Sequence, residues 1–551
     1  MQSLFINNFF FRNLIDFTSI VSIVTSTVKE VLDTFLLKES FLPKLLCINL
    51  ILPLFGIFVI CIIAAFPLIV NKKTVFFNLQ HKSALFITGT TFIASLLLLL
   101  FLSKDAFYFQ ANFFFSFWNM NVLFGVDFIS MSLIVLTNLF IYLCVLSLRA
   151  SDIYGKYALY EIILLLFFIQ WGLLCAFSVL DLLGFFIFFE ATLVPIFLII
   201  LRGGSRERKA RASFLIALYT LLGSIFMLFN IIYILNKFGS TNYIYLLTLK
   251  FSAEDQKILW LTFFLAFAAK IPVFPFHIWL PEAHVEAPTI GSVILAALLL
   301  KLGIYGLIRF GLPLFPYGQE YFKHVIATLT ICSFIYTNFA AIRQVDIKKV
   351  IAYSSVVHMN LIVLGILCIS VESLDGAIYQ MIAHGIVSGA LFFCIGIIYE
   401  RYATRFIWYY GGVAFILPLY SIFFLIFTLA NISFPTSSNF IGEMLLFLGI
   451  FRDNFILGTV ASLSMFWGAI YSVWTYNRVC FGNIKTFSMK PIKMEDIDKQ
   501  DFSILFFLVF LLLLTGIYSG SILDYISVNT TMIVSRALDI IEQTSINVLN
   551  Q

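Results

Sequence analysis

The chain has 551 residues, 61% hydrophobic and 11% charged, with a mean hydropathy of +1.02. A soluble domain is about a quarter charged, so that class is excluded and a polytopic membrane protein is indicated. The formal net charge of +5 says little about partners, because where lysine and arginine sit counts for more than their sum.

Eight cysteines are scattered at positions 47, 61, 144, 175, 332, 368, 394 and 480, mostly inside apolar runs. No CxxC occurs, which argues against iron–sulfur or zinc ligation and against a disulfide framework. The 66 phenylalanines point to a bias toward T-rich codons, as in many organellar genomes.

Residues 1–44 mix apolar and polar side chains without a clean span, and FINNFFFRNLIDF suits a membrane interface. The segment has neither the cleavage site of a secretory signal nor the acid-poor composition of a transit peptide. Synthesis inside an organelle or in a bacterium is the expectation. A helix needs about 20 apolar residues to cross a bilayer. On that measure spans are predicted near 45–70, 84–103, 125–148, 158–177, 179–201, 213–236, 258–280, 286–310, 324–342, 349–370, 376–399, 412–450 (broken), 455–479 and 502–524, fourteen in all.

Loop charges fix the expected orientation. The odd-numbered loops hold 20 lysines and arginines and the even-numbered loops 7. The positive-inside rule then turns the odd loops to the cytoplasm or matrix and both termini to the other side. The densest loop, RGGSRERKAR, is most simply a topology signal, with partner binding as the alternative.

The chemistry lies in ionisable residues within the spans. Each costs at least about 2.5 kcal/mol on the lenient insertion scale, so it marks a functional site by default. The stretch from Ala269 to Arg309 concentrates them. Lys270 stands just before Pro272 and Pro275, which cannot donate to the carbonyls of Ala268 and Ile271. Freed carbonyls in a membrane need water or protein, so a broken helix and a polar cavity are expected beside Lys270. A lysine there needs an acid to hold its charge. Glu190, mid-span in GFFIFFEATLVPIF with Pro195 behind it, is the natural partner, as a relay member or a structural counter-ion only. Lys301 lies well inside the eighth span, His358 and His384 in the tenth and eleventh, and Glu443 after a second break at Pro435 in FPTSSNFIGE. Each histidine is also readable as a satisfied core residue, and Glu443 as a helix-terminus charge. His277 and His284 flank WLPEA seven apart with no third ligand near, so no metal is expected. Glu282 and Glu286 are expected to end or cap the break near the surface.

As a set, Glu190, Lys270, Lys301, His358, His384 and Glu443 read as a proton relay. Water would link these groups, and the opening of one ion pair alters its neighbour's hold on its proton. No nucleotide loop, flavin fingerprint or quinone-sized polar pocket is legible. Spans 4–8 and 9–13 form two five-helix units, each with its fourth helix broken. An odd number of spans turns the second unit upside down, the inverted-repeat plan of many transporters. Lys270 and Glu443 would then hold equivalent places.

FFEATLVPIFLIILRGG, KIPVFPFHIWLPEAHVEAPTIGSVILAALLLKLGIYGLIR, RQVDIKKVIAYSSVVHMN, MIAHGIVSGALFFCIG and FPTSSNFIGE occur in this order over residues 125–480. This set resembles the antiporter-like membrane subunits of respiratory complex I, NADH:ubiquinone oxidoreductase. The WLPEAHVEAPTIGS block and the twelfth-span glutamate point to the chain 4 branch; lysine is expected there in chains 2 and 5. The resemblance implies an all-α fold of about fourteen transmembrane helices. It implies Glu190 and Lys270 as a coupled pair, Lys301, His358 and His384 as the central relay, and Glu443 as the exit-side acid. It also implies an enzyme whose redox chemistry lies in partner subunits. No cofactor is then expected in this chain; NADH, FMN, iron–sulfur clusters and ubiquinone belong to the assembly. Expected partners are membrane-arm subunits, especially chains 2 and 5, and lipids such as cardiolipin, with no nucleic acid. The expected place is the mitochondrial inner membrane, with a bacterial plasma membrane as alternative. The expected division is an N-terminal extension (1–44), two helices and a connecting loop (45–124), an antiporter-like core (125–480) and a last helix with a tail (481–551). Rival readings are a subunit of a multisubunit Na⁺/H⁺ antiporter or membrane-bound hydrogenase, and a structural scaffold with vestigial charges.

Overall fold

The computed structural model describes residues 41–65, 73–103, 109–117, 120–148, 159–204, 207–485 and 495–549. The expected N-terminal extension lies, up to residue 40, outside the described residues. So do Lys72, Lys104, Arg149, Lys156, Arg206, Lys490 and Lys493 among the loop cations.

Apolar length and helix signals build the bundle together. α1 (Phe41–Ala65) and α2 (Lys73–Phe101) lead to a hairpin of β1 (Gln110–Phe117) and β2 (Met120–Val126). Asp127 caps α3 (Phe128–Ser147), its side chain accepting from Ser130 N while Ser130 Oγ accepts from its backbone N–H. α4 (Leu159–Ser178) follows, then a kinked pair, α5 (Leu182–Ala191) and α6 (Leu193–Gly203), and α7 (Lys209–Phe238), which ends on left-handed Gly239. A short α8 (Tyr243–Thr248) precedes α9 (Ala253–Lys270), capped by Ser252. α10 (Trp279–Glu286) and α11 (Thr289–Leu314) come next, then α12 (Pro316–Ile342), α13 (Ile347–Leu367) and α14 (Val371–Tyr402). α15 (Pro418–Asn431), α16 (Ser438–Asp453), α17 (Phe455–Cys480), α18 (Lys499–Ile517) and α19 (Ser519–Leu549) complete the chain.

Twelve of these segments are long and apolar enough to span. The two broken helices, α9 with α10 and α15 with α16, bring the spans among the described residues to fourteen, in line with the expectation. Within and just past the expected connecting loop, Gln110–Phe117 and Met120–Val126 pair antiparallel, and Phe113 stacks on Phe124 across them. The seventh span is broken as expected, but it reaches beyond the predicted end at 280. Its second half runs to Glu286, and α11 begins only at Thr289. Pro288 sets that boundary: it puts Ala287 in extended backbone and allows the next helix to start behind it.

α11, α13 and α14 are buried along nearly their whole length, whereas α1, α2, α7 and α17 turn apolar faces outward. The first five-span unit runs from α4 to α11 and the second from α12 to α17, each with its fourth span broken. Lys270 closes the first half of one break, and Glu443 stands in the second half of the other. They are alike in flanking a break, not in their place along it.

In the second break Ser433 and Thr436 take positive φ (64° and 82°), a strained choice for a β-branched threonine. Gly516 of α18 packs against this turn, and a Cβ there would collide with the Thr436 carbonyl. Because the obstacle is backbone, it cannot simply rotate away. Gly516→Ala is therefore expected to destabilise the protein by about 1–3 kcal/mol, read as a lower thermal midpoint after solubilisation. An unchanged midpoint would show that the break tolerates displacement.

Candidate functional site

At the first break three backbone carbonyls, Ala268 among them, are met by protein donors. Val273 N–H donates to Ala268 O at 3.1 Å, and the Trp279 indole to Ala269 O at 2.8 Å. The Asn360 amide of α13 approaches Pro272 O at 3.4 Å. The break is thus fixed by named donors, as buried backbone requires.

Lys270 is buried at the end of α9. Its Nζ donates to Phe189 O at 2.7 Å, approaches Thr192 Oγ1 at 3.4 Å and lies 3.5 Å from the centre of the Phe189 ring. The fifth span kinks between Ala191 and Leu193, where Pro195 supplies no N–H to Ala191 O. Thr192 Oγ1 shares the Phe189 carbonyl, donating to it at 3.0 Å. Glu190 is the adjoining residue. Its two carboxylate oxygens are buried without a hydrogen bond, with Lys270 and Ser224 as the groups acting on it. The expected pair is brought together, but the ammonium is turned to the Phe189 carbonyl rather than to the carboxylate.

Lys301 sits between two π turns of α11, Leu295–Leu299 and Leu307–Gly311. Such widenings of a helix recur at functional sites because they turn carbonyls out of the regular ladder. Lys301 Nζ bonds Ala296 O and meets His384 Nδ1 at 3.0 Å. The rings of His384 and His358 are 5.3 Å apart. His358 Nδ1 is 2.9 Å from Glu443 Oε1, which also accepts from Gln380 Nε2 at 3.1 Å. Lys301, His384, His358 and Glu443 therefore form a continuous line across α11, α14, α13 and α16. All four are buried to 3% exposure or less. His384 Nε2 has no protein partner.

Several charged residues that read as loop or surface groups are buried. Lys348 is 3% exposed; it donates to Ala287 O at 2.9 Å and approaches Ser292 Oγ at 3.5 Å. Glu286 does not cap a surface break. It is buried 3.5 Å from Arg405, which also faces Asp346 at 3.9 Å. Glu282 does sit nearer the surface, paired with Lys349 at 2.8 Å. His277 packs on Tyr336, and His284 stacks on Phe392 with both ring nitrogens unpartnered. Near Lys348 a cavity of about 460 Å³ opens toward the basic loops, its wall including Arg202, Glu161 and Arg405. Sequence reasoning also passed over Gln380 and the Arg309–Asp127 pair. Arg309, four residues past Tyr305 and eight past Lys301, was the legible signal.

The family model described as NADH:quinone oxidoreductase/Mrp antiporter, TM, matches residues 179–466. NADH-ubiquinone oxidoreductase chain 4 of Chondrus crispus is 44% identical over 490 residues, 88% of this chain and 97% of that one. A chain of respiratory complex I from Thermus thermophilus superposes with a TM-score of 0.77 at 26% identity, covering 90% of this chain and 99% of its own. A chain of the Mrp complex from Dietzia sp. DQ12-45-1b reaches 0.76 at 18% identity over the same shares, a likeness of fold alone. By family model and by identity along most of its length, the chain belongs to the NADH:quinone oxidoreductase/Mrp antiporter membrane-subunit family, among its NADH-ubiquinone oxidoreductase chain 4 members.

Proposed function

We propose that this chain is a proton-translocating membrane subunit of respiratory complex I, and that Glu190, Lys270, Lys301, His384, His358 and Glu443 carry the proton. The observation that supports this most is the unbroken buried contact line from Lys301 to Glu443. Lys301 Nζ faces a ring nitrogen of His384, so an ammonium there hands its proton to a neutral imidazole. The other ring nitrogen of His384 is unpartnered and suits a water on the way to His358. His358 in turn faces a carboxylate able to receive the proton. Glu190 governs loading: while Lys270 rests on the Phe189 carbonyl the acid is unpaired, and when the ammonium swings to it the charge felt at Lys301 changes.

Redox chemistry falls to partner subunits holding FMN, iron–sulfur clusters, NADH and ubiquinone, and this chain converts their energy into proton transfer. Chains 2 and 5 are the neighbours this reading assigns, with cardiolipin among the lipids, in the mitochondrial inner membrane. The basic loops then face the matrix and both termini the intermembrane space. The core is taken as residues 125–480.

The rival is a gradient-driven Na⁺/H⁺ antiporter subunit, whose fold this chain shares. The composition of the line speaks against sodium. A hard cation requires oxygen ligands, and the centre here is built from lysine and histidine nitrogens. Mass spectrometry of the mildly solubilised native particle separates the readings. Flavin- and iron–sulfur-bearing NADH dehydrogenase subunits are expected in the same particle; a particle without them, carrying Na⁺ flux, would move the assignment to the antiporter.

A further inference from the structure

α11 carries Lys301, Tyr305 and Arg309 at a spacing of four, so their side chains follow one side of the helix toward the face opposite the basic loops. Lys301 belongs to the line described above. Beyond it the way is closed twice.

Tyr305 is fully buried. Its hydroxyl donates to Phe177 O at 3.0 Å and accepts from Arg309 Nε at 3.3 Å. Its ring meets Phe177 edge-on at 5.1 Å and Phe185 at 6.3 Å. One turn on, Arg309 Nη2 contacts Asp127 Oδ1 at 2.6 Å, with both side chains under a tenth exposed. The guanidinium also lies 4.9 Å from the centre of the Phe109 ring. Phe128, next to Asp127, stacks on Tyr525 of α19 at 4.8 Å, so the C-terminal helix roofs this corner.

These parts suit a barrier. The rings of Tyr305, Phe177 and Phe185 pack together here, and the Tyr305 hydroxyl is already engaged by Phe177 O and Arg309 Nε. A guanidinium does not deprotonate in proteins, so Arg309 cannot pass a proton on, and its ion pair with Asp127 holds it in place beyond Tyr305. A stapling pair alone needs neither the aromatic collar nor a cation aligned with Lys301.

We propose that Tyr305 and the Arg309–Asp127 pair seal the face opposite the basic loops against Lys301, so that a proton there leaves only sideways through His384. This rests on the reading that Lys301 handles protons. The test uses the intact complex reconstituted in liposomes. Asp127→Asn removes the charge but keeps a side chain that caps a helix equally well. Under an imposed potassium potential without NADH, passive proton conductance is expected to rise several-fold. During turnover fewer protons are gained per NADH oxidised. Adding Lys301→Met to Asp127→Asn is expected to abolish the leak. An assembled Asp127→Asn complex with wild-type conductance and yield overturns the seal, as does a leak that survives Lys301→Met. If Asp127→Asn does not assemble, the same readouts on Tyr305→Phe, which loses the hydroxyl held by Arg309, decide it. Normal pumping by Lys301→Met alone counts against the relay rather than the seal.

Discussion

Glu443→Gln is expected to lower NADH-driven proton translocation by about a hundredfold or more, the scale of losing one positioned proton acceptor, while the complex still assembles. The amide keeps the size of the carboxylate and a carbonyl oxygen for Gln380 Nε2, now 3.1 Å from Glu443 Oε1. What it lacks is a site that takes a proton from His358, 2.9 Å away. Glu443→Ala goes further: it leaves the Gln380 amide buried without its acceptor, at about 1–3 kcal/mol, and takes the carboxylate from beside His358, so it is expected to lose stability as well as activity. Proton uptake by reconstituted liposomes, with the assembled complex quantified in parallel, separates the two effects. Full translocation by assembled Glu443→Gln would remove Glu443 from the path.

The second large effect concerns Glu190 and Lys270. Lys270→Ala and Glu190→Ala are each expected to depress pumping-linked activity by about tenfold or more, and the double substitution to be no worse than either alone. Two residues acting as one unit give non-additive losses. In the structure the ammonium rests on the Phe189 carbonyl and the Glu190 oxygens have no hydrogen bond. Any functional coupling therefore requires the lysine to move or to act through its field. Multiplicative losses in the double variant would mean that the two serve separate steps.

The spans, the two breaks and the six ionisable residues within the spans were legible because lipid makes each of them conspicuous. A charge or proline inside an apolar run is costly in lipid, and Lys270, Lys301 and Glu443 stand out for that reason. The hairpin was harder to see, since its aromatic strands look like the edges of neighbouring spans. Lys348 and Arg309 were read as loop cations because they lie near predicted span ends, where long side chains usually reach water. Their burial follows from tertiary packing: α13 and α11 are enclosed at those ends. The orientation of Lys270 was likewise not readable, since it depends on a backbone carbonyl of another helix. Glu286 was misplaced for a related reason, as Arg405, its partner across the fold, is 119 residues on in the chain.

The central claim is that protons cross through the buried line from Lys301 to Glu443. It is tested most directly by recording NADH oxidation and proton uptake together in liposomes holding the intact complex with Lys301→Met. Methionine preserves the apolar stem and removes the group that faces His384. The account predicts that protons taken up per NADH fall, or that turnover stops with pumping. An assembled variant with unchanged turnover and unchanged protons per NADH would contradict it.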